Sequence, residues 1–144
     1  MMKKQIIIFW IVCLVFTAVA CGAPGSVLEE NKWFLNSHGD PNKLEEILAN
    51  TEITAIFDKN KGEVSGYSGC NTYFASYKVN GNNLSIFNLA YTERGCVSPQ
   101  GVMEQEQEFL SLLADAKSFQ VDDTSLTIAC SGGRQLYFTK ARDM

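Results

Sequence analysis

The chain has 144 residues, of which 46% are hydrophobic and 19% are charged, and its formal net charge is −4. This length and composition predict one folded domain with a hydrophobic core. The charges form no basic stripe, which argues against a nucleic-acid-binding protein. Nor is there a Lys/Arg-rich amphipathic helix of the kind that binds anionic lipid surfaces.

The first 21 residues have the pattern of a bacterial export signal. Lys3 and Lys4 precede a run without charge from residue 6 to residue 20, and Cys21 follows the small residue Ala20. The run is shorter than the about 20 residues that a membrane-spanning helix needs, which disfavours a permanent transmembrane anchor. Two cleavage hypotheses are left: signal peptidase releases a soluble chain, or a lipobox directs lipid onto Cys21.

The lipobox hypothesis is favoured, because Ala18-Val19-Ala20-Cys21 places a thiol directly after small residues. It predicts a signal peptide over 1–20, a lipidated (palmitate-bearing) Cys21 with a flexible tether over 21–30, and the domain over 31–144. Acyl chains on one cysteine give stable anchoring. Position 22 is Gly and not Asp, which by resemblance to lipoprotein sorting rules favours the outer membrane, facing the periplasm. The alternative location is a soluble secreted or periplasmic protein.

After the tether, short apolar runs alternate with turn residues. Such alternation is typical of antiparallel strands joined by tight turns. The pattern predicts strands over 32–36, 53–57, 63–67, 73–79, 84–89, 119–121, 125–130 and 135–139, a loop over 37–42 and a short helix over 43–49.

One segment has helical periodicity. Phe109, Leu110, Leu113 and Ala116 recur at helical spacing within 102–117, behind a run of Glu and Gln. The acids at 104, 106 and 108 are interpreted as a solvated first turn that complements the helix dipole. Many short strands and one long helix predict an α+β domain with an antiparallel sheet.

The cysteines distinguish the two cleavage hypotheses. Cys21, Cys70, Cys96 and Cys130 remain after cleavage, in an oxidising compartment. A lipidated Cys21 leaves three thiols, which allows one bridge, whereas an unmodified Cys21 allows two. Cys70 and Cys96 lie in Gly-containing loops and are the better pair, whose closure contributes about 3.5 kcal/mol. Cys130 ends an alternating run and is predicted to be a buried core thiol.

Seven motifs occur in chain order over about residues 31–140. They are Trp33-Phe34-Leu35 (W-x-L), Gly66 to Tyr73 (G-x-x-GCN-x-Y), Asn80 to Ile86 (a turn and an L-x-I strand), Thr92 with Cys96, Glu106 with Phe109 and Leu113, Leu126-Thr127-Ile128, and Leu136-Tyr137-Phe138. Taken together, they resemble the motifs of the META domain family, the domain of HslJ-type heat-shock proteins.

This resemblance implies a curved antiparallel sheet, a partial barrel, packed around one main helix. It also implies no established enzymatic activity and an association with envelope, heat and antibiotic stress. These implications concern the family and are expectations for this chain.

A candidate binding surface is formed by five residues. They are Tyr67, Asn71, Tyr73, Tyr77 and Tyr91. Aromatic side chains line grooves in some binding proteins, but in a small β domain they more often pack in the core. The GCN block likewise has a structural interpretation, a tight glycine turn with Asn71 as its cap, beside that of a ligand-binding loop.

Catalytic patterns are weak, so the chain is predicted not to be an enzyme. His38 is the single histidine, and no GxSxG, HExxH or phosphate-cradling loop occurs. The cysteine spacings do not resemble a zinc site, and a calcium loop is not indicated, so no metal and no cofactor are predicted.

Two functional hypotheses follow from different classes. The first is a lipid-anchored, chaperone-like or interaction module that binds an envelope protein or an apolar ligand along the open side of the sheet. An apolar cleft would support it and a sealed core would count against it. The second is a secreted small inhibitor or enzyme that works through the loops around Cys70, Cys96 and His38.

Overall fold

The computed structural model describes residues 24–29 and 31–140. The predicted signal peptide and Cys21 lie outside these residues. In the described part, no helix is both long and apolar enough to cross a membrane. The elements are α1 (Pro24–Glu29), β1 (Lys32–Asp40), β2 (Lys43–Glu46), β3 (Thr54–Asp58), β4 (Glu63–Tyr67), β5 (Thr72–Asn80), β6 (Asn83–Tyr91), α2 (Val102–Ala114), β7 (Ala116–Val121), β8 (Ser125–Cys130), a 3₁₀ turn (Ser131–Gly133) and β9 (Gln135–Lys140).

Eight of these strands form a closed antiparallel barrel in the order β1-β3-β4-β5-β6-β7-β8-β9. The ladder from Trp33↔Lys140 to Gly39↔Gln135 joins β9 back to β1 and closes the sheet. β2 pairs with the second half of β1, beside β3. The predicted open, partial barrel is therefore corrected: a closed barrel has no open side, and the fold is mostly β with little helix.

Alternating burial explains why these segments become strands. On β5, Tyr73, Ala75 and Tyr77 are buried while Phe74 and Lys78 are exposed, as the period-2 pattern predicted. The inward residues of the eight barrel strands form one core with the apolar face of α2. Its largest fully buried side chains are Trp33, Phe57, Phe109, Phe119, Phe138, Leu28, Ile53, Leu84, Leu112, Leu113, Leu126 and Ile128.

The predicted short helix over 43–49 is wrong. The four residues of β2 are all exposed, so this segment has no apolar stripe that would bury a helix. Asp40 instead favours a hairpin, because its side-chain oxygen accepts a 2.8 Å hydrogen bond from the backbone N–H of Asn42. The first four residues of the predicted loop over 37–42 are accordingly strand, since β1 continues to Asp40.

Helix α2 covers one end of the barrel. Phe109, Leu112 and Leu113 are fully buried against the strands, and the helix packs on β6 and β9. It ends at Ala114, where Asp115 donates its backbone N–H to the carbonyl oxygens of Ser111 and Leu112. The predicted helix over 102–117 is confirmed with a shorter end, because Ala116 already pairs with β8.

Helix α1 covers the opposite end, where a flexible tether was predicted. Leu28 is fully buried in the core, and its carbonyl oxygen accepts a 2.9 Å hydrogen bond from the Trp33 indole. Glu29 accepts a 2.8 Å bond from the Tyr77 hydroxyl and lies 3.7 Å from the Lys59 ammonium. The predicted boundary at residue 31 is therefore too late, because α1 is part of the packed domain.

Gly66 occupies a position without room for a side chain. A Cβ there would overlap the carbonyl oxygen of Thr54 on the neighbouring strand. We expect Gly66→Ala to lower the free energy of unfolding by about 2 kcal/mol, since backbone must shift to relieve the overlap. Urea unfolding measures it, with Gly95→Ala as a control, because that loop glycine has open space around it and no positive φ. Equal losses in the two variants would contradict this explanation.

Candidate functional site

The helix-covered end of the barrel contains a buried polar cluster around Glu106. This residue is only 3% exposed, on the inner face of α2. One carboxylate oxygen, Oε2, accepts hydrogen bonds from the Ser68 hydroxyl (2.5 Å), the Asn71 N–H (2.7 Å) and the Cys70 N–H (3.2 Å). Three donors on one oxygen fix the β4–β5 turn against the helix. The predicted solvated first turn is therefore wrong for Glu106.

The hydrogen bonds also set the ionisation of this carboxyl. Burial by itself raises the pKa of Glu106, but the bonds from Ser68, Asn71 and Cys70 favour the charged form and together outweigh it. The pKa therefore lies below its ordinary value of 4.5. At neutral pH the cluster contains a buried carboxylate whose charge is balanced by hydrogen-bond donors.

Asn71 extends the cluster from Glu106 to the loop that follows β6. Its Nδ2 donates to Glu106 Oε1 (2.7 Å) and to the Arg94 carbonyl (3.1 Å). Its Oδ1 accepts from the Thr92 hydroxyl and from the Arg94 N–H, both at 2.8 Å. Asn71 is 1% exposed. It is thus a buried structural hub, as the capping interpretation of the GCN block predicted, and the ligand-contact interpretation is corrected for this residue.

A disulfide reinforces the same junction. The Cys70–Cys96 bond joins the turn to the loop, with the two Cα atoms 5.9 Å apart, and the predicted pairing is confirmed. The Arg94 guanidinium donates back to the Cys70 carbonyl (2.8 Å), and the Cys96 N–H lies 3.3 Å from the Met103 sulfur. Covalent and polar contacts therefore hold this loop at Thr92, Arg94 and Cys96.

Only part of the predicted aromatic surface is accessible. Tyr73 and Tyr77 are 2% and 7% exposed, because they point into the barrel and stack edge-on against Phe109 and Phe57. Burial raises the pKa of both tyrosines well above the usual range. The prediction that these two line a groove is wrong.

The other two tyrosines remain at the surface. Tyr67 is half-buried, and Tyr91 is 51% exposed. Tyr91 borders a cleft of about 220 Å³ beside α2. The cleft is lined by Tyr91, Met103, Glu104, Glu106, Gln107 and Leu110.

His38 is not a loop residue. It lies within β1, is 4% exposed, and its Nδ1 has no hydrogen-bond partner in the described part of the chain. The Oε1 atom of Glu108 lies 3.6 Å from this Nδ1. Glu108 and Glu106 are two positions apart on α2, so their side chains leave the helix on different sides. The structure therefore does not bring His38 to the Cys70–Cys96 junction.

Cys130 is a buried thiol without a disulfide partner among the described residues, as predicted. Burial raises its pKa to about 11. At pH 8 only about one thiol in a thousand is then ionised, and thiolate is the reactive form. We expect no reaction of the folded mature Cys21→Ser chain (residues 21–144) with Ellman's reagent over minutes, and one thiol per chain after unfolding. Immediate reaction of the folded chain would contradict the buried position.

Sequence reasoning missed one exposed feature. Val97 is 96% exposed, whereas the other large exposed apolar side chains of the described residues, such as Phe74 and Tyr91, are about half exposed. It lies one residue after the disulfide, in the same loop that Asn71 holds. Nothing in the composition indicates such a position. No group of three His, Cys, Asp or Glu side chains in the described residues has a geometry suited to a metal.

The fold and this site define a class of protein: a small closed antiparallel barrel whose helix-covered end is fixed by a buried carboxylate and a disulfide. The family model of the META domain matches residues 26–143. The chain belongs to the META domain family, as its motifs predicted. No curated protein matches it significantly.

Solved structures show the same fold at low identity. An NMR structure of a protein from Burkholderia xenovorans is 23% identical with a TM-score of 0.66, covering 82% of this chain and 88% of that one. A second NMR structure is 20% identical with a TM-score of 0.61, covering 83% and 95%. A crystal structure of a DUF4847 family protein from Bacteroides vulgatus is 15% identical with a TM-score of 0.58, covering 83% and 98%. These likenesses concern the fold alone.

Proposed function

We propose that the protein is a non-enzymatic, lipid-anchored interaction module of the cell envelope. The observation that carries the proposal is the cluster of Glu106, Asn71 and the Cys70–Cys96 bond. Its buried polar groups are engaged in holding a solvent-exposed loop rather than in facing a substrate. Such an arrangement supports recognition by a preformed surface, because a loop that is already ordered loses little conformational entropy when a partner binds.

The anchor is proposed at Cys21, on the lipobox pattern. Pro24 begins α1 and Leu28 is already in the core, so six residues (22–27) lie between Cys21 and Leu28, and four of them belong to α1. The three steps from Cys21 to Pro24 would span at most about 11 Å even if extended, and the four helical steps to Leu28 add about 6 Å. An anchored domain would therefore stay close to the bilayer with its α1 end toward it. The proposed location is the outer membrane, facing the periplasm.

The proposed partner is an envelope protein rather than an apolar ligand inside the fold. The barrel is closed, α1 and α2 cover its two ends, and its core is filled by large side chains. A sealed core counts against a lipid or other apolar molecule between sheet and helix. Binding is therefore proposed at the outer surface, and a role under envelope, heat or antibiotic stress is proposed from the family resemblance.

The alternative is a soluble secreted inhibitor or enzyme. Its enzymatic form required His38 close to Cys70 and Cys96, and His38 is buried elsewhere against Glu108. Its inhibitory form has one observation in its favour, the exposed Val97 on the held loop.

The first test is the intact mass of the mature protein from membrane and soluble fractions, with and without reductant. The proposal expects a membrane-bound species that starts at Cys21, carries acyl mass and gains two hydrogens on reduction. Cys21→Ser is the matched control and should move the chain to the soluble fraction. A soluble, unacylated wild-type species with two disulfides would overturn the anchored module.

Stress survival of a deletion strain tests the physiological part. Complementation with the wild-type gene should restore growth under heat or antibiotic stress, and His38→Ala should restore it equally. Loss of complementation in a folded His38→Ala chain would overturn the non-enzymatic assignment.

A further inference from the structure

In the loop between β6 and α2, residues 92–97 contain no turn or bend and are held along one side. Thr92 donates its N–H to the Thr72 carbonyl (3.0 Å), Arg94 exchanges two backbone hydrogen bonds with the Asn71 side chain, and Cys96 is bridged to Cys70. The contacts thus recur at every second residue. This spacing is that of an extended strand, whose backbone groups point alternately to opposite sides.

The intervening residues leave their backbone groups free. The N–H groups of Glu93, Gly95 and Val97 make no hydrogen bond within the described residues. These residues are exposed, and Val97 is 96% exposed. An extended segment with free backbone groups and one protruding aliphatic side chain has the form of a peptide bound by strand addition, in which a pocket takes the side chain.

Rigid support on the inner side distinguishes this loop from an ordinary flexible one. Asn71 is itself held by Glu106 through two bonds of 2.7 Å, and Glu106 is fixed in the helix that follows the loop. The loop therefore loses little conformational entropy on binding. Preorganisation of this kind raises affinity mainly by lowering the ordering cost.

Resting on the proposed non-enzymatic function, we propose that this loop inhibits an extracytoplasmic serine endopeptidase of elastase-like specificity. Val97 occupies the pocket that takes the residue before the scissile bond, and the free backbone groups of Gly95 and Val97 pair with the enzyme cleft. A small S1 pocket, as in elastase, accepts an aliphatic side chain of this size.

The contacts that hold the loop also explain why it would inhibit the enzyme rather than be cleaved and released as a substrate. Hydrolysis of Val97–Ser98 would add one water across the peptide bond and leave a carboxylate and an amine. The new carboxyl end would remain attached through Cys96 to Cys70, and the new amino end would remain attached to α2 through residues 98–101. Both ends would stay in place for resynthesis of the bond.

The experiment uses the disulfide-bonded mature chain with Cys21→Ser, and measures hydrolysis of chromogenic peptides by pancreatic elastase, trypsin and chymotrypsin. We expect inhibition of elastase at or below about 1 μM, as is common for specific complexes of this type. Val97→Arg should weaken elastase inhibition at least about 100-fold and produce trypsin inhibition, because a central side chain in a pocket dominates such interfaces. Asn82 is an exposed turn residue at the opposite end of the barrel, and Asn82→Arg is the matched control. This variant should inhibit elastase as strongly as the parent chain does and should leave trypsin active.

Three results would overturn the inhibitor. The first is full elastase activity in the presence of the parent chain. The second is rapid cleavage of Val97–Ser98 by elastase without inhibition. The third is inhibition of trypsin by Asn82→Arg that equals inhibition by Val97→Arg. Because the side chains of Val97 and Asn82 are both exposed, neither substitution disturbs packing, and circular dichroism verifies the fold. Failure of inhibition leaves the lipid anchor at Cys21 testable by mass, so the two proposals fail separately.

Discussion

Glu106→Ala is expected to lower the free energy of unfolding by about 4 kcal/mol at pH 7. The substitution removes the acceptor of the Cys70 and Asn71 backbone N–H groups, which stay buried beneath the loop. An unsatisfied buried donor costs about 1–3 kcal/mol, and bonds to a charged acceptor are among the stronger ones. Urea unfolding followed by tryptophan fluorescence measures the loss.

The isosteric variant separates charge from shape. Glu106→Gln should cost about 2 kcal/mol at pH 7, because its amide group faces the Asn71 amide as a second donor. The folded pKa of Glu106 is lowered, so its contribution to stability is complete above the unfolded pKa and is lost as pH falls through the folded pKa. The difference between wild type and Glu106→Gln should therefore shrink below about pH 4.5.

Glu104 provides the matched control for both variants. It is an exposed acid in the first turn of the same helix. Glu104→Ala and Glu104→Gln should change the free energy of unfolding by less than about 0.5 kcal/mol at any pH. Losses at position 104 as large as those at 106 would show that helix charge, rather than the buried cluster, carries the stability.

Leu28→Ala is expected to destabilise the domain by about 3 kcal/mol. Leu28 is fully buried, so truncation removes its transfer free energy and leaves a cavity at the α1 end of the barrel. Thermal and urea unfolding of the Cys21→Ser chain measure the change. Val27→Ala, on the same short helix but only half-buried, is the control and should cost clearly less. If Leu28→Ala had no effect, residues 24–29 would behave as the tether that the sequence suggested.

The strands were predictable because their alternation is local. The segments 63–67 and 125–130 match the observed strands residue for residue, since turns bound them on both sides. Closure of the barrel was not predictable in this way, because it depends on the pairing of Trp33 with Lys140 and not on any neighbouring residue. Leu28 was missed for the same reason: its partners lie on distant strands.

The part of the site that the sequence predicted correctly is the cysteine pair, because cysteine has few structural roles. The Cys70–Cys96 pair followed from position and redox compartment. Glu106 was misassigned because three alternating acids suggested a solvated turn, although its spacing to Phe109 and Leu113 already placed it on the apolar face. The prediction for the tyrosines failed for a different reason. Tyr73 and Tyr77 lie at inward positions of β5, and in a closed barrel inward aromatic rings pack in the core instead of lining an open groove.

The pairing of β1 with β9 has a consequence for the export proposed above. Contacts between the two ends of a chain are the last to be completed and slow the folding of β domains. A chain that crosses a membrane as an extended thread, amino end first, delivers β9 last. Until that strand arrives, β1 lacks one of its neighbours and the barrel stays open. If the chain is exported as proposed, this topology would delay closure of the barrel until β9 has crossed the membrane.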